Sequence, residues 1–277
     1  MSLAVKTALP AEAPPAPPAR RWTRERMVGH VLLGAWALAG IGLVAFLLLR
    51  WDPELFARWA PAYLSGLRVT LILVVVSILL GAVLSVPIAY GRMSRNKVAS
   101  ALAFAYVYFF RGTPLLAQAF LIYYGLGSFR PQLEAFGLWT FFREAWYCAI
   151  LAFTLNTAAY QAEILRGAVQ SVPRGQWEGA ASLGLHKLQT MWKVILPQAM
   201  IVALRPYGNE IILMIKGSAI VAIITVPDLM GQTRLAYSRT FDFQTYLWAA
   251  LLYLALVESL RRVVDLIERG LTRHLKR

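Results

Sequence analysis

Val28–Leu49 runs through 22 residues without one Asp, Glu, Lys or Arg. As an α-helix it extends about 33 Å, enough to cross the hydrocarbon core of a bilayer. Five more apolar runs follow: Ala62–Tyr90, Val98–Gly127, Ala145–Leu165, Pro197–Ile215 and Phe243–Val257, with a shorter apolar piece, Ala219–Val226, after the fifth run. A soluble domain cannot bury this many such segments. The composition agrees, with 58% hydrophobic and only 15% charged residues, where ordinary soluble domains carry about 25% charged. The expected fold is therefore all-α, a polytopic bundle of membrane helices. Cys148 is the only cysteine, which excludes a disulfide scaffold within the chain.

The net charge of +14 has two possible sources. Clustered basic residues neutralise nucleic-acid phosphates, and they also fill the cytoplasmic loops of membrane proteins. Position decides between them. The polar segments 1–27, 50–61, 91–97, 128–144, 166–193, 216–242 and 258–277 carry net charges of +3, 0, +3, 0, +3, +1 and +3. The alternation follows the positive-inside rule for six spans with both termini in the cytoplasm. The basic excess thus reads as topology, with the bilayer and no nucleic acid as partner. Residues 1–27 are expected to be a disordered cytoplasmic tail. They are Pro/Ala-rich from Leu9 to Ala19 and basic at Arg20, Arg21, Arg24 and Arg26.

No Gly-x-x-x-x-Gly-Lys-Ser/Thr loop or Gly-x-Gly-x-x-Gly turn is present to cradle a nucleotide. His30, His186 and His274 lack metal-ligand spacing, and no Ser/His/Asp set stands out. The chain is therefore expected to hold no cofactor or metal and to catalyse nothing itself. Uphill movement of a solute would draw its energy from another chain.

The most informative segment is 171–197. Ser171 and Pro173 look like a helix start, the Ser as cap and the Pro in the first turn. Ala180, Ala181 and Gly184 give the helix a small-residue surface that another protein can approach closely, and Pro197 is read as opening the next span. Pattern alone leaves an ordinary amphipathic loop helix equally open. The segment, however, resembles the cytoplasmic signature of the permease subunits of binding-protein-dependent ABC importers: Glu-Ala-Ala, three residues, Gly, nine residues, Ile-x-Leu-Pro. Glu178, Ala180, Gly184, Leu196 and Pro197 match it. Gly179 stands where the first Ala is usual, and Val194 where Ile is.

Further phrases resemble the polar amino acid permeases of that superfamily: Phe110-Arg111-Gly112-Thr113-Pro114, Leu155-Asn156-Thr157-Ala158-Ala159-Tyr160 with Glu163, and Ser171-Val172-Pro173. Asn209–Met214, Gly217-Ser218-Ala219 and Val226-Pro227-Asp228-Leu229 resemble the branch for histidine, lysine, arginine, ornithine and opines, with glutamine or glutamate permeases as the alternative. The resemblance covers roughly 62–270 and implies a five-helix type I importer core with an additional helix, 28–50, in front and a basic tail, 271–277, behind.

It also implies an inner-membrane machine. Two permease chains, with two different ones favoured over a homodimer, would work with a pair of ATPase subunits holding ATP and Mg, and a periplasmic binding protein would deliver substrate. The coupling set Glu178, Gly179, Ala180, Ala181, Gly184, Leu196 and Pro197 would dock in a groove of the ATPase. In that docking Glu178 would fix the helix and its following turn by a hydrogen bond or ion pair. A stand-alone channel and an integral membrane enzyme are the competing classes, and neither requires a docking helix.

Ionisable residues inside a bilayer cost about 2.5–3.5 kcal/mol each and so either pair or line water. Asn156, Tyr160, Glu163 and Gly167 share one helical face and are candidates for the substrate path, with Asn209 and Glu210. Glu163 has two readings of equal standing: a partner for a substrate cation, or a partner for Arg166 or a neighbouring helix. Arg205, Asn209 and Lys216 share a face of the fifth span, and a structural network joining them to Arg111 is expected. At Thr113 and Pro114 the third span either kinks or ends a surface-lying half-helix. Asp228 is expected to start a short external helix, either as a simple cap or as a contact for the binding protein.

Overall fold

The structure is a computed structural model that describes residues 22–49 and 51–272. The Pro/Ala-rich stretch with Arg20 and Arg21, and the tail beyond Thr272, lie outside the described residues. All regular elements among the described residues are helical. The chain separates into two bodies, residues 1–52 and 53–277.

The first body contains α1, Arg24–Leu49. It has no buried residue, and its length and apolarity suit a membrane span.

The second body holds the rest. Its long helices are α2 (Pro53–Met93), α7 (Ala145–Ser171), α10 (Leu196–Ser218) and α12 (Gln244–Leu271). Between them lie α3 (Lys97–Gly112), α4 (Leu115–Phe120), α5 (Arg130–Ala135), α6 (Trp139–Phe142), α8 (Arg174–Ser182), α9 (Lys187–Thr190) and α11 (Leu229–Thr240). α2 and the continuous helical stretch Lys187–Ile224 are, like α1, long and apolar enough to span. The 27 residues of α7 and 28 of α12 are long enough but more polar. On α7 the polar side chains are turned inward, with Asn156, Thr157 and Gln161 all buried.

Small residues set the packing. α7 places Ala149, Ala152, Ala158, Ala159 and Ala162 in full burial against its neighbours, the pattern expected where helices associate through close backbone approach. A Cβ on Gly81 of α2 would lie 2.5 Å from the Thr157 methyl and 3.3 Å from the Ala158 nitrogen, so only glycine fits there. Gln161 Nε2 crosses this contact and donates to the Ile78 carbonyl at 3.1 Å. The core around it gathers Leu73, Val74, Phe153, Met214, Ile215 and Ile224.

The third apolar run is broken into two helices. α3 stops at Gly112, and Thr113 and Pro114 are extended before α4 starts, as the steric effect of proline on its predecessor requires. The carbonyls freed at the break are not left bare: Phe110 O accepts from Asn156 Nδ2 at 2.9 Å and from Gln118 Nε2 at 2.9 Å. Gln118 Nε2 also reaches Thr113 Oγ1 at 2.8 Å.

The fifth span differs from expectation at its start. The helix begins at Lys187, and Pro197 lies within a continuous helix rather than at its opening. A π-helical turn, Met191–Ile195, precedes the proline. Such a turn relieves the lost hydrogen bond and the ring's clash with the carbonyl four residues earlier, which proline imposes on a regular α-helix.

Asp228 starts α11 as expected: its Oδ1 accepts the Gly231 N–H at 2.8 Å. The same residue is packed against two spans. Leu229 N–H donates to Thr70 Oγ1 at 3.1 Å, and Tyr253 Oη donates to Asp228 Oδ2 at 3.4 Å.

Candidate functional site

Two features carry chemistry. The first is the helix α8 and its turn. Its inner face is apolar: Ala180 is buried, and Trp177 packs with Val169, Val172 and Ile195. Its outer face is bare. Gly175, Glu178, Gly179, Ala181 and Ser182 are exposed, and Leu183 stands out at 80% exposure. The outer face of α8 thus presents one apolar side chain flanked by small residues.

The turn after α8 is held by main chain. Gly184 has φ +72°, a left-handed conformation that glycine takes without penalty. Its N–H donates to Ala181 O at 2.9 Å, and Leu185 N–H donates to Ala180 O at 3.1 Å. This is a Schellman cap, and it corrects the role expected of Glu178. The Glu178 carboxylate has no hydrogen-bond or ion-pair partner among the described residues, and only its carbonyl is engaged, by Ser182 Oγ at 3.0 Å. The carboxylate is therefore free to meet another chain. The helix start is also corrected. α7 runs through Ser171, whose hydroxyl donates to Ala168 O at 2.7 Å, and Pro173 takes the cap position ahead of Arg174. Gln198 fastens α8 to the next span: its Nε2 donates to Gln176 Oε1 at 3.1 Å and to Val194 O at 2.9 Å. Leu196 and Pro197 thus belong to the helix that holds α8 and not to its exposed face.

The second feature is a cluster of charges where α2, α3 and α7 meet. Glu163 accepts from Arg92 Nε at 2.9 Å and from Arg166 Nη2 at 2.7 Å. Arg111 Nη1 lies 3.9 Å from the same carboxylate, and its guanidinium sits 5.1 Å from the Tyr160 ring centroid. Arg92 in turn lies over Phe104 at 4.8 Å. Arg111, Tyr160, Glu163, Gly167 and Pro206 line an open cleft of about 410 Å³ between α3, α7 and α10. Three guanidiniums thus surround one carboxylate, and of these four charges Arg111 and Glu163 line the cleft.

Of the candidate path residues, Tyr160, Glu163 and Gly167 face this cleft, and Asn156, Asn209 and Glu210 are not in its lining. The Asn156 amide is committed to Phe110 O and to Gln118 Oε1, the latter at 3.0 Å, so it braces the kink at Thr113 and Pro114. Glu210 is buried and accepts from Thr157 Oγ1 at 2.9 Å, joining α10 to α7. Asn209 and Lys216 are exposed on α10 and do not line the cleft. The expected network of Arg205, Asn209 and Lys216 with Arg111 does not form, because Arg205 turns to Glu268 of α12 at 2.7 Å. Arg92 and Gln118 were missed in the sequence. Both act across long separations, and only the Arg92-Met93-Ser94-Arg95 run at the end of α2 hinted at a charge there.

Fold and site together define an all-helical integral membrane chain whose helix α8 keeps an uncovered outer face. The chain belongs to the family of binding-protein-dependent transport system inner membrane components, whose model matches residues 77–273. It is 42% identical over 226 residues to the nopaline transport system permease protein NocM of Agrobacterium fabrum, covering 81% of this chain and 94% of that one. It is 39% identical over 191 residues to the arginine ABC transporter permease protein ArtM of Haemophilus influenzae, covering 69% and 83%. Among solved structures, an amino acid ABC transporter crystallised with histidines superposes with a TM-score of 0.70 at 35% identity, over 79% of this chain and 99% of that one. The inward-facing MetNI methionine ABC transporter shares the fold, with a TM-score of 0.63 at 21% identity over 76% of this chain and 96% of that one.

Proposed function

We propose that the chain is the permease subunit of an ATP-driven importer for a basic amino acid or an opine. ATP and Mg would be bound by a pair of partner ATPase subunits, and substrate would be delivered by a periplasmic binding protein. The observation that carries this reading is α8, a capped helix with a buried apolar back and an uncovered front of Glu178, Gly179, Ser182 and Leu183. Nothing among the described residues covers that front, and an ATPase groove is the partner that the family pairs with it. Both termini lie inside in this reading, in accord with the alternating loop charges. A second, different permease completes the translocation path.

The substrate class rests on the relatives named for nopaline and arginine transport and on the charged cleft. Glu163 is saturated by Arg92 and Arg166, so its task is to hold those guanidiniums. Arg111, stacked on Tyr160 and more loosely paired, is the group left to meet a substrate carboxylate, which amino acids and opines share.

The test is affinity purification of the tagged chain in mild detergent. Recovery of an ATP-binding subunit and a second permease supports the reading, and Glu178→Lys is expected to release the ATPase. Recovery of the chain alone, with ion conductance after reconstitution, would replace it with a stand-alone channel.

A further inference from the structure

A second cleft, of about 660 Å³, opens where the α2–α3 connection meets the end of α7 and the start of α8. Its walls include Tyr90, Met93, Arg95, Arg174, Trp177 and Met191. No acidic residue lines it. Arg95 and Arg174 are both exposed, and neither has a carboxylate partner among the described residues. This sets them apart from Arg92 and Arg166 nearby, which share Glu163. Two uncompensated guanidiniums above a floor of Met and Trp side chains suit a ligand that is anionic at one end and apolar at the other.

The surroundings place this cleft at the edge of the bilayer. Tyr90 is 75% exposed on a spanning helix, and an amphipathic ring of that kind settles at headgroup depth. Just beyond Lys97, the outward residues of α3 turn apolar, with Val98 67% and Leu102 68% exposed. The polar-to-apolar change therefore occurs within one turn of Arg95. Segments 91–97 and 166–193 both carry +3, so under the topology proposed above the cleft faces the cytoplasmic leaflet.

We propose that this cleft binds the headgroup of an anionic phospholipid of the cytoplasmic leaflet. Arg95 and Arg174 hold the phosphate, and an acyl chain leaves past Tyr90. Basic pockets between membrane helices recognise such headgroups through the same chemistry. Arg174 is the first residue of α8, so the bound lipid also steadies the base of the docking helix. The proposal depends on the inward orientation of these segments and not on the identity of the transported solute.

The experiment is native mass spectrometry of the whole transporter, purified with its partner subunits and taken from nanodiscs of phosphatidylcholine containing a minority of phosphatidylglycerol. The wild-type complex is expected to retain phosphatidylglycerol in preference to phosphatidylcholine. Arg95→Gln with Arg174→Gln is expected to lower that preference about 30-fold, about fivefold for each charge near the surface. Lys187→Gln, an exposed charge outside the cleft lining, should leave it unchanged. An equal preference in wild type and double variant overturns the proposal. So does loss of the ATPase subunit from the double variant with lipid retention intact, which would make the cleft a protein contact. Because assembly is read in the same spectra, failure of the lipid site is distinguishable from failure of the importer reading.

Discussion

Replacing Glu163 by Gln removes the carboxylate that, among the described residues, faces three guanidiniums within 4.0 Å. The Glu163 side chain is 13% exposed, Arg92 17% and Arg166 27%. Removing one member of a largely buried ion pair costs about 3–5 kcal/mol, because the remaining charge is left without compensation. Arg166 can recover water and keeps its bond from Nη1 to Gln170 Oε1 at 2.7 Å, which puts the expected loss at the lower end, about 3 kcal/mol. The assay is denaturant unfolding of the purified complex in detergent, followed by tryptophan fluorescence. Removing a cation as well should return part of the loss: Glu163→Gln with Arg92→Gln is expected to be more stable than the sum of the single changes, by about 1–3 kcal/mol. Unchanged stability in Glu163→Gln, together with weaker uptake of labelled arginine or nopaline, would refute this reasoning and restore Glu163 as a substrate contact.

Other outcomes are equally specific. Asn156→Leu withdraws one of the two donors to the Phe110 carbonyl at the kink and is expected to destabilise the fold by about 1–3 kcal/mol in the same unfolding assay. Gly184→Ala forces a Cβ into a left-handed turn and should cost about 1 kcal/mol, read as weaker ATPase retention with the spans intact. Gly81→Leu should abolish recovery of folded protein on size-exclusion chromatography, because it collides with the α7 backbone. Burial raises the Asp228 carboxyl from 3.8 to about 6, against the opposing pull of the Gly231 N–H. Its folded state therefore holds the proton more tightly than its unfolded state. The stability this contributes is complete below pH 3.8 and is lost as pH rises through about 6. Asp228→Asn, which keeps an acceptor for the cap, should flatten that part of the stability profile.

The fold was legible wherever a local rule dominated. Uninterrupted apolar length marked the long helices, Thr113-Pro114 marked the break between α3 and α4, Pro227-Asp228 marked the start of α11, and the segment from Ser171 to Pro197 marked the short helix α8 and its glycine turn. What stayed hidden depends on partners distant in sequence. Glu163 showed Arg166 as a neighbour three residues away but gave no sign of Arg92, 71 positions earlier. Asn156 looked like a path residue because its face was right, but its amide was claimed by a backbone break 46 positions away. The π-helical turn before Pro197 was not legible either, because the same proline fits both the opening of a helix and a tolerated position within one. Glu178 misled in a different way. The turn after α8 is closed by backbone bonds around Gly184, so the carboxylate was never needed for local structure.

The central claim is that this chain moves solute only when an ATPase pulls on α8. The direct measurement is uptake of labelled arginine and nopaline into proteoliposomes holding the assembled transporter, with its binding protein outside and ATP within. The account predicts ATP-dependent uptake that Leu183→Asp abolishes while ATPase and permease remain individually folded, because the exposed apolar knob on α8 is lost. Uptake that continues without ATP, or that survives Leu183→Asp at the wild-type rate, would contradict it.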